Sequence, residues 1–80
     1  MIKVNETQLS SSSHGCIEYG NNNFWEVCLI GGDWVFVPHD SYAGPGLWEG
    51  YNFNEFFAQV PEEHQAAIIQ DFVLIENRQQ

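Results

Sequence analysis

Phe24–Pro38 reads FWEVCLIGGDWVFVP, two runs of β-branched and aromatic residues around a Gly31-Gly32-Asp33 break. This is the strongest hairpin signal in the chain. A two-residue turn at Gly32-Asp33 sets Ile30 opposite Val35, Leu29 opposite Phe36 and Cys28 opposite Val37. Side chains alternate between faces, so one face carries Val27, Leu29, Trp34 and Phe36, and the other Cys28, Ile30, Val35 and Val37. Only Glu26 interrupts the apolar pattern. A hairpin apolar on both faces needs cover on both sides, or a partner on one. Pro38 has no N–H to give to a ladder, so the second strand ends there or lies at an edge.

Outward from the hairpin, Gly15–Tyr19 (GCIEY) reads as a short preceding strand, and Gly20–Asn23 as the turn between them, built from residues that tolerate left-handed backbone. The result is a three-stranded antiparallel meander with Phe24–Ile30 in the middle. If the turn is Asn21–Asn23, Cys16 lies opposite Cys28; if it takes all four residues, Cys16 opposes Val27. Met1–Leu9 supplies a possible first strand through Ile2, Val4 and Leu9, and the serine run Ser10–Ser13 reads as a flexible loop.

On the other side, His39–Tyr51 (HDSYAGPGLWEGY) interleaves Gly44, Pro45, Gly46 and Gly50 with Tyr42, Trp48 and Tyr51. A loop of this length is functional or is packed by its own side chains. Asn52 and Glu55 form a capping-box pattern that starts a short helix over Phe53–Gln59. Pro61 opens a second helix, with Glu62 and Glu63 at its positive end and Arg78 at its negative end. Ile68, Ile69, Phe72 and Ile75 make its apolar stripe. FVLI at Phe72–Ile75 also fits a fourth strand, but no turn signal precedes it, so a continuous helix is preferred. The expected fold is α+β: a three- to four-stranded antiparallel meander packed against a C-terminal helix, in a single acidic domain over residues 1–80.

Charge is the most unusual global property. Eleven carboxylates face Lys3 and Arg78 alone, for a formal charge of -9. Nucleic-acid phosphates and anionic membranes need clustered cations, so neither is an expected direct partner. A hydrophobic content of 44% is too high for intrinsic disorder. No run nears the ~18 apolar residues that span a bilayer, and Met1–Val4 lacks a signal peptide's apolar stretch, so the expected setting is cytoplasmic. In that setting Cys16 and Cys28 are expected as free thiols.

Chemistry-bearing constellations are sparse. His14, Cys16, Cys28 and His39 lack a zinc-site spacing, so no metal or other cofactor is expected. His39, Asp40 and Ser41 are adjacent and cannot point at one another, and His64 reads as exposed, so no catalytic residue is assigned and an enzyme is not expected. Binding is the remaining role. Tyr42, Trp48 and Tyr51 are candidate aromatic anchors, with Asp40, Glu49, Glu55, Glu62 and Glu63 as an acidic rim. The same aromatics could instead fold back as cover for the sheet.

In size and acidity the chain is similar to phage-encoded anti-CRISPR and anti-restriction proteins, and to the bacterial immunity proteins that neutralise basic nuclease toxins. No motif carries that similarity, so it transfers no residue. It implies an inhibitor that occupies a basic, nucleic-acid-binding surface of a larger protein or nucleoprotein complex. The alternatives are a structural or regulatory subunit, or a homodimer, that uses the apolar sheet face, and a carbohydrate-binding module that uses the aromatic loop.

Overall fold

The computed structural model describes residues 2–78, and among them run six strands and three helices. The strands are β1 (Ile2–Asn5), β2 (Ser13–Tyr19), β3 (Asn23–Ile30), β4 (Asp33–Pro38), β5 (Tyr42–Gly44) and β6 (Leu47–Gly50). The helices are α1 (Glu6–Ser12), α2 (Phe53–Phe57) and α3 (Glu62–Asn77). The strands form two antiparallel three-stranded sheets, β2-β3-β4 and β1-β6-β5. The fold is α+β, with the meander and the C-terminal helix that the sequence implies.

The β3–β4 turn is Gly31-Gly32, not Gly32-Asp33, and pairs Ile30 with Asp33, Cys28 with Val35 and Val27 with Phe36. Both glycines take positive φ, +60° and +85°, the conformation of a two-residue turn whose twist matches the strands. Putting Asp33 in the turn would force a side chain into that region. The slip moves each residue's partner by two positions, so every side chain keeps the face assigned to it.

Each face then finds its own cover. Trp25, Val27 and Phe36 on one face join Ile17 and meet Phe56, Val60, Ile68 and Ile75 from the helical half. Phe36 is the hub: its ring stacks on Phe56 at 4.4 Å and meets Phe53 and Phe72 at 5.7 and 5.3 Å. On the other face Cys28, Val35 and Val37 form a second core with Val4, flanked by Leu9, Ile30 and Trp48. This second face is covered by the chain itself, through the β1-β6-β5 sheet and α1.

Five local expectations are corrected. The first strand stops at Asn5, whose side chain accepts the Gln8 N–H at 2.8 Å while Gln8 accepts the Asn5 N–H. That capping box turns Glu6–Ser12 into a helix, so the serines are not a loop, and β2 starts at Ser13. The β1 strand does not extend the meander; it pairs with β6, Ile2 with Gly50 through Asn5 with Leu47. His39–Tyr51 is not a single loop, because β5 and β6 form a hairpin around Pro45-Gly46. On α3 only Ile68 and Ile75 are buried and Phe72 is half-buried; Ile69 points to solvent with Val73 and Leu74.

Other expectations are met with small shifts at the ends. Asn52 and Glu55 form the second capping box, and α2 ends at Phe57. α3 is continuous through Phe72–Ile75, with Pro61 at its N-cap. At 16 residues it is the longest helix, and no described helix is long and apolar enough to cross a membrane.

β6 ties the two sheets together. Beyond Gly50, Tyr51 pairs with Phe36 through two backbone hydrogen bonds of 2.8 Å, so the strand leaves one sheet and docks on the edge of the other. At that crossing a side chain on Gly50 would begin 2.5 Å from Val35 Cγ1 and 3.2 Å from Val4 Cγ2. Gly50 therefore sets how closely the sheets approach. Gly50→Ala is expected to destabilise the fold by about 1–3 kcal/mol through overpacking, seen as a lower urea midpoint. Gly32→Ala meets no neighbour and is expected to cost only what its positive φ demands, about 1 kcal/mol. A Gly50→Ala midpoint equal to wild type would show that the sheets can separate freely.

Candidate functional site

At the end of the molecule where β2 turns into β3 lies a cleft of about 610 Å³. Its floor is set by the cross-strand pair Trp25–Pro38. Trp25 is 4% exposed and is fixed by edge-on contacts with Phe56 at 4.8 Å and Tyr51 at 6.0 Å. Four separate segments raise the walls: the β2–β3 hairpin, the residues after β4, the end of β6, and Gln59 between the helices. The hairpin keeps a three-residue turn because Gly20 and Asn22 adopt φ of +59° and +66°. It thereby presents Tyr19, Asn22 and Asn23 to the cleft.

Opposite them stand Asp40, Ser41, Glu49 and Tyr51. The Glu49 backbone is pinned to Ser41, whose carbonyl accepts the Glu49 N–H at 3.2 Å and whose hydroxyl lies 3.0 Å from the Glu49 carbonyl oxygen. The Glu49 carboxylate has Tyr51 OH at 3.5 Å from one oxygen and Lys3 Nζ at 3.5 Å from the other. Lys3 approaches from outside, as the cross-strand partner of Glu49 on β1. The cleft lining itself includes two carboxylates and no lysine or arginine. Two carboxylates without a lysine or arginine in the lining favour a cationic guest by charge.

The residues singled out from the sequence divide into three places. Asp40, Glu49 and Tyr51 meet in the cleft. Tyr42 and Trp48 pair across β5–β6 with their rings 5.1 Å apart; Tyr42 is 57% exposed, whereas Trp48 is half-buried against the second core. Glu55 caps α2, and Glu62 and Glu63 occupy the first turn of α3, just beyond Gln59. Tyr19, Asn22, Asn23, Trp25 and Gln59 were missed. The signal for the first four was the hairpin register: pairing Trp25 with Pro38 brings the asparagine turn beside His39 and Asp40.

A second polar group shares His39 and Phe24 with the cleft lining and extends from it over the outer part of the sheet. His39 Nε2 is 3.2 Å from Glu26 Oε1 and 4.0 Å from Cys16 Sγ, its ring stacks on Phe24 at 5.8 Å, and the Ser13 hydroxyl donates to the other Glu26 oxygen. The thiol and the carboxylate share one ring nitrogen, so the set is not a relay from carboxylate through imidazole to nucleophile. Among the described residues no three histidine, cysteine or acidic side chains are arranged to hold a metal ion. Cys16 pairs with Glu26 and Cys28 with Ser13, so both expected registers, Cys16 opposite Cys28 or opposite Val27, are corrected: the two cysteines do not face one another and both are free. Burial, and after it the Glu26 charge, push the Cys16 thiol up from its ordinary value; burial does the same to Cys28.

Comparison with protein-family models, curated proteins and solved structures finds no match to this chain.

The two thiols give a direct check on this geometry. Cys16 is exposed and Cys28 fully buried, so a chromogenic disulfide reagent is expected to titrate one thiol in the native protein and two in denaturant. Two thiols reacting at equal rates natively would contradict the packing of α1 over Cys28. Because both pKa values are raised in the fold, the native state holds these protons more tightly than the unfolded chain. That contribution is complete below the ordinary thiol value of 9.0 and is lost as pH rises through the folded-state values. The urea midpoint is therefore expected to fall from about pH 8 to about pH 10, and to fall less in a Cys16→Ser, Cys28→Ser double variant.

Proposed function

We propose that the protein is a small binding domain that engages a basic surface of a larger protein or nucleoprotein complex, taking a lysine or arginine side chain of that surface into the Trp25–Pro38 cleft. The observation that carries this is the lining: Asp40 and Glu49 stand with aromatic rings and amide acceptors, without a lysine or arginine among them. The formal charge of -9 supports it from a distance, because a field of that sign speeds encounter with a cationic surface. Glu62 and Glu63, at the helix start next to Gln59, add to that field.

Occupying a nucleic-acid-binding surface in this way makes the domain an inhibitor, the role filled by phage anti-CRISPR and anti-restriction proteins and by immunity proteins. A cytoplasmic setting belongs to the same proposal and fits two unpaired cysteines. Binding rather than catalysis fits the chemistry at hand. The Ser41 hydroxyl lies between the Pro38 and Glu49 carbonyl oxygens at 2.8 and 3.0 Å, and the Cys16 thiol is held protonated by burial and by Glu26. A sugar-binding role is less favoured, since Trp25 is too buried to offer its face as a stacking platform.

The test is capture from a host lysate at low salt, run side by side with wild type and an Asp40→Asn, Glu49→Gln variant, with elution by a salt gradient and mass spectrometry. Wild type is expected to retain a basic protein that rising salt releases. The neutralised variant is expected to retain it at least about tenfold less well while keeping the wild-type circular dichroism spectrum. A partner held equally by both proteins, or one that survives high salt, would overturn the role given to the cleft.

A further inference from the structure

We infer a second binding surface, separate from the cleft: the free edge of β2, which takes an extended basic segment of a partner chain as a fourth strand of the β2-β3-β4 sheet. Among the described residues β2 is hydrogen-bonded on one side only, to β3. An edge strand directs alternate N–H and C=O groups outward, where they can pair with an added strand. Along this edge runs a groove of about 250 Å³ lined by Cys16 and Glu18 of β2 and by Asp71, Leu74, Ile75 and Arg78 of α3.

The lining locates the groove. Cys16 and Glu18 pair with Glu26 and Phe24 on one face of the sheet, whereas Ile75 belongs to the core under the opposite face. A groove that touches both sets must straddle the strand edge. α3 runs antiparallel to β2 beside it: His64 lies against Tyr19 at 5.7 Å, and Ile75 and Arg78 lie against Gly15. The register shift between Ser13 and Gly15, with Gly15 at φ +146°, breaks the flat edge at one end. Cys16–Tyr19 is left as the stretch that can accept a strand.

Charge selects the occupant. Residues of an added strand alternate between the two faces. On one face they would meet Glu18, with Glu26 behind it; on the other they would meet Asp71 and Leu74, which is 58% exposed, while the groove's cation, Arg78, lies at its Gly15 end, off the Cys16–Tyr19 stretch. A segment with lysine or arginine on the Glu18 side and a mixture of apolar and basic residues on the α3 side complements both. A second copy of this chain does not, because pairing β2 with β2 would bring Glu18 and Asp71 of two chains of charge -9 together. The same carboxylates that reject a second copy admit a basic strand.

The probe is a short end-capped peptide of alternating lysine and valine, titrated into labelled protein and followed by amide NMR shifts and hydrogen exchange. The expected result is a shift of the Cys16, Ile17 and Glu18 amides, with slowed exchange at alternate β2 residues. N-methylation of one alternate set of peptide nitrogens should weaken binding at least about tenfold, and so should Glu18→Lys with Asp71→Lys in the protein, both being exposed positions. Because the cleft itself takes lysine side chains, these titrations are made in the Asp40→Asn, Glu49→Gln background, so that the Cys16–Glu18 response reports the edge alone. In that background, equal binding of the N-methylated peptide, an absence of shifts at Cys16, Ile17 and Glu18, or dimerisation through β2 in sedimentation would each overturn the inference.

Discussion

A hairpin with apolar side chains on both faces cannot be left in water on either, and the rest of this chain is disposed to meet that demand twice. Phe36 and Val27 look one way, Val35 and Cys28 the other, and each pair is fully buried. The segments after the hairpin supply aromatic rings for the first face. The segments before and immediately after it supply a small second sheet and a helix for the other. In so short a chain the two cores are thin, and each depends on the other through the strands they share.

The open end of the sandwich follows from the same geometry. α2 and α3 together cover Phe36 and Ile17, and Phe56 reaches Trp25, but the Pro38 side of the Trp25–Pro38 pair stays open. What remains is a concave site whose walls come from four places in the sequence, and a strand edge that α3 flanks without closing. Both carry negative groups, and the chain has too few cations to neutralise them internally.

Legibility in the sequence tracked how local the determining interaction is. The faces of Phe24–Pro38, the Asn52–Glu55 cap and the continuity of α3 depend on neighbours within a few residues, and all three are present as read. The α1 helix carried the same kind of signal, Asn5 with Gln8, but four serines in a row masked it, since serine favours caps and turns over helix interiors. Seven residues of helix are marginal alone and persist through packing of Leu9 on the second core. β5 and β6 were hidden for a different reason: Gly44, Pro45, Gly46 and Gly50 suggest a loop, and the strand character of Leu47–Gly50 comes from pairing with Ile2–Asn5. The cleft was half-legible. Asp40, Glu49 and Tyr51 stand out by residue type, but grouping them with Asn22, Asn23 and Gln59 needs the hairpin register and the helix ends, which no single stretch determines.

The pairing of Ile2 with Gly50 also orders events during synthesis. A strand made at the very start of the described chain has no partner until residues 47–50 have cleared the ribosome, by which time the β2-β3-β4 meander can already have formed. Through that interval Cys28, Val35 and Val37 lie bare on one side of a nascent sheet. That interval is set by translation speed over about a dozen codons between the end of β4 at Pro38 and the end of β6 at Gly50, so a pause there lengthens the period in which the sheet can meet another chain before its own first strand returns to cover it.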